Sequence, residues 1–124
     1  MKQESDFDKD LWNAYVLQQE ELCNKLGLAH APVDPYQILG LSADINLIPM
    51  NGLRHPGEQN TTGWYIWSGE YSVANDFFQP VHVYHLLSTK PNIIKYLGLP
   101  IGYRFLIDDE GYEDIWYDET LLNI

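Results

Sequence analysis

His82 and His85 stand three residues apart in "QPVHVYHLLS", a spacing that puts two imidazoles on one face of a helix. With His55 and Glu70 they are the side chains from which a metal site or a small hydrolase could be assembled. Zinc needs three or four ligands in fixed geometry, and one His-x-x-His pair supplies two. The plainer reading is one histidine packed against aromatics and one at a rim. Cys23 is the only cysteine, which excludes a disulfide framework and a cysteine zinc cluster, and it reads as a half-buried helix residue. No G-x-S-x-G, H-E-x-x-H, phosphate-binding loop or dinucleotide-binding glycine motif occurs, and nothing in the spacing pairs a nucleophile with a base. The residues therefore give no catalytic group, no cofactor and no metal ligand set. Arg104, mid-strand in "GYRFL", fits a pairing with Glu113 or Asp114 on a facing strand, or the binding of an anion.

The elements that must hold these side chains begin with a helix from about Asp8 to Leu26, capped by Ser5 or Asp6 and stopped by Gly27. Leu11, Tyr15, Leu22 and Leu26 mark its apolar face, with Gln18, Gln19 and Glu21 turned to water. Asn51-Gly52 reads as a turn and "HPGEQNTTG" as an exposed loop. "GWYIWSGE" (63–70) reads as a strand with large rings on both faces, Trp64 and Ile66 on one, Tyr65 and Trp67 on the other. Trp64 and Trp116 suit a core. For Tyr65 and Trp67, core and interface both stand open. Phe77 and Phe78 read as a buried pair. Pro80 and Pro91 each suit the first turn of a short helix. Asp108-Asp109-Glu110-Gly111, with a late glycine, joins "GYRFLI" to "YEDIWYDE" as a C-terminal β-hairpin. The expectation is one α+β domain over residues 1–124: an antiparallel β-sheet with the N-terminal helix and short helices on one side.

Composition narrows the function. Forty-five per cent hydrophobic and 14% aromatic residues over 124 positions are enough for one real core and exclude a disordered chain. There is no run of about 18 apolar residues, and "MKQESDFDKD" holds no apolar stretch of the secretory kind. A cytoplasmic chain that enters no membrane is expected. Seven basic against eighteen acidic residues give a net charge of −11, which argues against nucleic acid as a partner. No Lys or Arg follows Arg104, while Asp109, Glu110 and Asp118 sit among seven carboxylates in the last segment. That segment is either a solubilising surface or one complementary to a basic partner.

The series "NGLRHP", "GWYIWSGE", "DFFQPVHVYHL", "YLGLPIGYRFLI" and "YEDIWYDE" resembles the small immunity-protein-type domains found beside toxins in bacterial polymorphic toxin and type VI secretion loci. It covers about residues 51–122. The resemblance implies a cytoplasmic, non-enzymatic protein that binds and neutralises a cognate toxin, and it supplies no contact residues. On the residues alone, rigid aromatic anchors with a charged rim are what an inhibitor needs. Tyr65, Trp67, Glu70, Asp109, Glu110, Asp118, His55 and His82 are the resulting candidates for partner binding. The other readings are a peptide or small-ligand module using the aromatic strand as a groove, and a hydrolase using His82 and His85.

Overall fold

Asp8 starts the helix. In the computed structural model, which describes residues 7–123, its carboxylate accepts the Leu11 N–H at 2.9 Å, and α1 runs Lys9–Leu26 to Gly27. Ser5 and Asp6, expected as caps, lie outside the described residues. The buried stripe of α1 is Trp12, Gln19, Leu22 and Cys23, so Leu11 and Leu26 are exposed and Cys23 is buried outright. Gln19, expected in water, is 0% exposed. It pays no desolvation penalty because its amide donates to the Ile94 carbonyl (2.9 Å) and its oxygen meets His30 Nε2 (2.9 Å).

Six strands follow: β1 Ile38–Ser42, β2 Met50–Arg54, β3 Thr61–Ser68, β4 Phe78–His82, β5 Tyr103–Ile107 and β6 Glu113–Tyr117. They form one sheet in the order β4-β1-β3-β2-β5-β6. The architecture is the expected single α+β layer pair with one correction. The sheet is mixed, because β1 and β3 run parallel while every other pair is antiparallel. β2 leaves β1, crosses to the far side of β3 and pairs back onto it, which brings β3 alongside β1 in the same direction. Asn51 and Gly52 lie within β2 rather than in a turn.

Pro80 sits in β4 and not in a helix. β4 is an edge strand, where a residue without an N–H is tolerated. The 3₁₀ turn Val83–His85, α2 Leu86–Thr89 and the 3₁₀ segment Pro91–Tyr96 follow it. The hairpin forms as expected, with Arg104 opposite Trp116 and Gly111 at φ 93°, a backbone state that glycine adopts without strain. A last 3₁₀ turn spans Glu119–Leu122.

The core lies between one face of the sheet and the helical elements. Trp12, Leu22, Ile93, Ile94, Leu97 and Leu99 pack on Leu39, Trp64, Ile66 and Phe105. Trp64, 1% exposed, donates its indole N–H to the Leu97 carbonyl at 3.0 Å. Tyr96 stacks on Phe105 at 4.7 Å and donates to Glu113 Oε2 at 2.5 Å. Burial, then that carboxylate, raises its phenol pKa. Arg54 is the clamp of this layer. Its guanidinium donates to the carbonyls of Leu99 (2.7 Å), Ala31 (2.8 Å), Thr62 (3.1 Å) and Leu97 (3.4 Å). Burial pushes its pKa down to about 10, so it is still a cation at neutral pH.

Candidate functional site

Side chains alternate across a strand, so every residue next to a core position points to the second face. The register sets Pro80, Gly40, Tyr65, Leu53, Arg104 and Trp116 side by side in one row across all six strands. Trp67, Asn51, Leu106 and Asp114 form the next row. The α-helices of the described residues pack into the core on the opposite face. The face is thus largely aromatic and aliphatic, with Tyr65 exposed and Asn51, Leu53, Leu106 and Trp116 half-buried.

Its two strand aromatics have different surroundings. Tyr65 is 38% exposed and meets Phe78 and His55 edge-to-face, at 5.2 and 5.6 Å. Trp67 is 6% exposed, because the turn after β3 brings Tyr71 against it at 5.3 Å and Phe78 flanks it at 6.1 Å. An indole so covered offers a partner little surface. Phe77 and Phe78 are themselves only half-buried, belonging to this outer cluster rather than to the core. Trp116, expected in the core, lies half-buried on the open face with the Arg104 guanidinium 5.3 Å over its ring.

Arg104 pairs with Asp118 at 3.2 Å, and not with Glu113 or Asp114. The register sends Glu113 to the core-side row beside Ile107, whereas Asp118 lies just past the end of β6 and folds back over Arg104. Hydrogen bonds from Thr120, with the Arg104 cation behind them, hold the Asp118 carboxyl below its usual pKa.

The sheet divides the sequence-derived candidates between its two ends. His55, His82 and Asp118 stand at the end where β3 begins. Glu70 and the Asp109-Glu110 tip stand at the other, Tyr65 and Trp67 between them. His55 is tied to the Leu121 carbonyl through Nδ1 (3.0 Å), and His82 stacks on Tyr84 at 5.4 Å. His82 ends β4 while His85 ends a 3₁₀ turn, and their rings are 6.1 Å apart. Glu70 is removed from them by the length of β3, roughly 25 Å at strand rise. The hydrolase constellation is therefore not brought together. Among the described residues no group of three or more His, Cys, Asp or Glu side chains is placed to hold a metal ion, and no helix is long and apolar enough to cross a membrane. Cys23, its thiol pKa raised by burial, points inward to the Gly98 carbonyl.

Leu53 and Leu106 are the residues of the open face that sequence reasoning missed. Both follow from β2 and β5 alternation once Asn51-Gly52 is placed inside a strand instead of a turn.

Charge is also partitioned. Among the described residues, α1, α2 and the 3₁₀ segment Pro91–Tyr96, with the cap residues Asp8 and Lys90, carry four lysines against four carboxylates (Asp8, Asp10, Glu20, Glu21). The remaining described residues, in strands, loops and the C-terminal turn, carry twelve carboxylates against Arg54, which is buried, and Arg104, which is paired.

The described residues form a six-stranded sheet backed by helices, with an aromatic row on its other face in an acidic surround. A family model of the Imm33-like domain matches residues 18–118. The chain belongs to this Imm33-like family, of the immunity-protein type, and that membership points to a non-enzymatic role. Comparison with curated proteins and with solved structures finds no match.

Proposed function

We propose that this chain is a cytoplasmic immunity protein that binds a cognate toxin of a polymorphic toxin or type VI secretion locus. It neutralises the toxin by laying the open sheet face over a basic active site or substrate channel. The observation that carries this reading is the row Tyr65, Leu53, Arg104 and Trp116 on the sheet face away from the α-helices, with Tyr65 exposed and the other three half-buried, within the acidic part of the molecule. Aromatic and Arg side chains at the centre of a patch, excluded from water by a polar rim, supply most of the energy of such interfaces. The surrounding carboxylates speed the encounter with a basic partner and disfavour acidic ones. A sheet face needs little reordering to bind, which keeps the entropic cost low.

The test is capture and protection. The product of the toxin gene beside this one should co-purify with the chain, and the chain should protect cells that express that toxin. Tyr65→Ala and Trp116→Ala should each weaken binding by about 2 kcal/mol, the scale of a hot spot. Substitutions on the exposed side of α1, such as Leu17→Ala, should leave it unchanged. Failure to protect would refute the function. Binding lost from α1 but not from the sheet would refute the surface.

A further inference from the structure

Toward the β1–β4 side the open face deepens into a groove of about 520 Å³, lined among others by Gly40, His55, Glu58, Tyr65, Phe78 and Pro80. The pose of Tyr65 is fixed from beneath. A Cβ on Gly40 would come within 2.7 Å of Tyr65 Cδ2, so the ring lies across β1 where only glycine leaves room. Phe78 and His55 brace it by edge-to-face contacts. His55 is polarised in turn. The Leu121 carbonyl can only accept, so Nδ1 carries the proton of that 3.0 Å bond, and Nε2 is the acceptor of the neutral ring.

The polar side of the groove thus sets the Glu58 carboxylate and the His55 Nε2 acceptor beside the neutral hydroxyls of Thr61 and Tyr65 and the Gln79 amide. Glu58 takes part in no ion pair among the described residues, and no Lys or Arg lines the groove. The apolar side is π-face and proline ring. A carboxylate, an imidazole lone pair and an aromatic ring around one volume suit a cation carried on an apolar stem. They do not suit an anion, which the Glu58 carboxylate would repel with no Lys or Arg in the lining to offset it, nor a metal ion, for which one carboxylate and one imidazole are too few.

We infer that the groove receives a lysine or arginine side chain of the bound toxin, its charge against Tyr65 and the Glu58 carboxylate and its stem along Phe78 and Pro80. This rests on the toxin-binding reading above and adds the chemistry of the residue that the toxin presents. The acidic surround would bring a basic surface near; the groove would select one of its side chains.

The test needs no toxin. The ¹⁵N-labelled full chain is titrated with the N-acetyl methylamides of arginine, lysine and citrulline, the last matching arginine in shape without its charge. At least one cationic probe should give saturable shifts on the amides of Gly40, Glu58 and Tyr65, with an apparent affinity about tenfold above that of citrulline. Glu58→Gln, which removes charge from an exposed loop and leaves the rest of the spectrum native, should erase most of that preference. Equal binding of citrulline, no saturable shift at these amides, or an unchanged preference in Glu58→Gln would each overturn the assignment. Toxin capture is judged separately by co-purification and protection, so a failed groove and a failed immunity function give different results.

Discussion

Trp67 and Tyr65 share a strand and a face, and replacing each by alanine should have opposite consequences. Trp67 is covered by Tyr71 and Phe78 and keeps 6% of its surface in water. A buried aromatic removes about 150–250 Å² from solvent, worth roughly 4–6 kcal/mol at about 25 cal/mol per Å². Truncating one costs about 3–5 kcal/mol in measured series. With an unfolding entropy of about 2.1 cal/mol/K per residue, a chain of this length gives about 0.26 kcal/mol/K. Trp67→Ala should then lower Tm by about 11–19 °C. Tyr65 is more than a third exposed, so Tyr65→Ala should cost about 1–2 kcal/mol, or about 4–8 °C, while removing a central ring of the proposed binding surface. Thermal and urea unfolding followed by near-ultraviolet circular dichroism, alongside toxin affinity, separates the two. A Trp67→Ala protein melting within a few degrees of wild type would refute the covered indole. A Tyr65→Ala protein melting as low as Trp67→Ala would make Tyr65 a core residue and remove it from the interface.

Arg54→Met should destabilise the fold by about 3–5 kcal/mol in urea, because four carbonyls, buried or partly buried, lose a charged donor; a change under about 1 kcal/mol would show that the clamp is dispensable. The Asp118 carboxyl is held below its ordinary pKa, so its contribution is complete above the unfolded value of roughly 3.9 and fades as pH falls through the folded one. The stability difference between wild type and Asp118→Asn should therefore be flat from pH 5 to 7 and shrink below about pH 4, read by pH-dependent urea melts. Charge reversal at Asp109 and Glu110 should slow toxin association and flatten its salt dependence, with little effect on dissociation, in stopped-flow kinetics; unchanged rates would assign the tip to solubility alone.

Local chemistry made the ends of elements legible. Gly27 stops α1, and Asp108 to Gly111 turns the hairpin, because a backbone state that glycine favours is written in one residue. What escaped depends on contacts distant in sequence. Gln19 reads as a surface residue until the Ile94 carbonyl, 75 positions away, receives its amide. Pro80 satisfies the first turn of a helix and an edge strand equally well, and only the pairing of β4 with β1 decides between them. The parallel β1–β3 pair has no local signature at all. Of the candidate site, the facing of Tyr65 and Trp67 was legible by alternation, but alternation cannot tell which ring a later loop will cover. Arg104 was rightly given a carboxylate partner, and the wrong one, since the facing-strand rule does not reach a residue past the end of β6.

The uneven placement of charge has a consequence for copies of the chain among themselves. An uncovered aromatic sheet face is a standing invitation to stack on its own likeness, and two such faces meeting would bury the same rings twice. Here each would carry its surround of carboxylates toward an identical one, and the repulsion grows as the faces align. Self-association is thus opposed by the same residues that would welcome a partner of opposite sign, while the electrically balanced helical side exerts no comparable pull. Under the proposed function, such a face would stay unpaired in concentrated solution, open to a surface of opposite sign and repellent toward its own likeness.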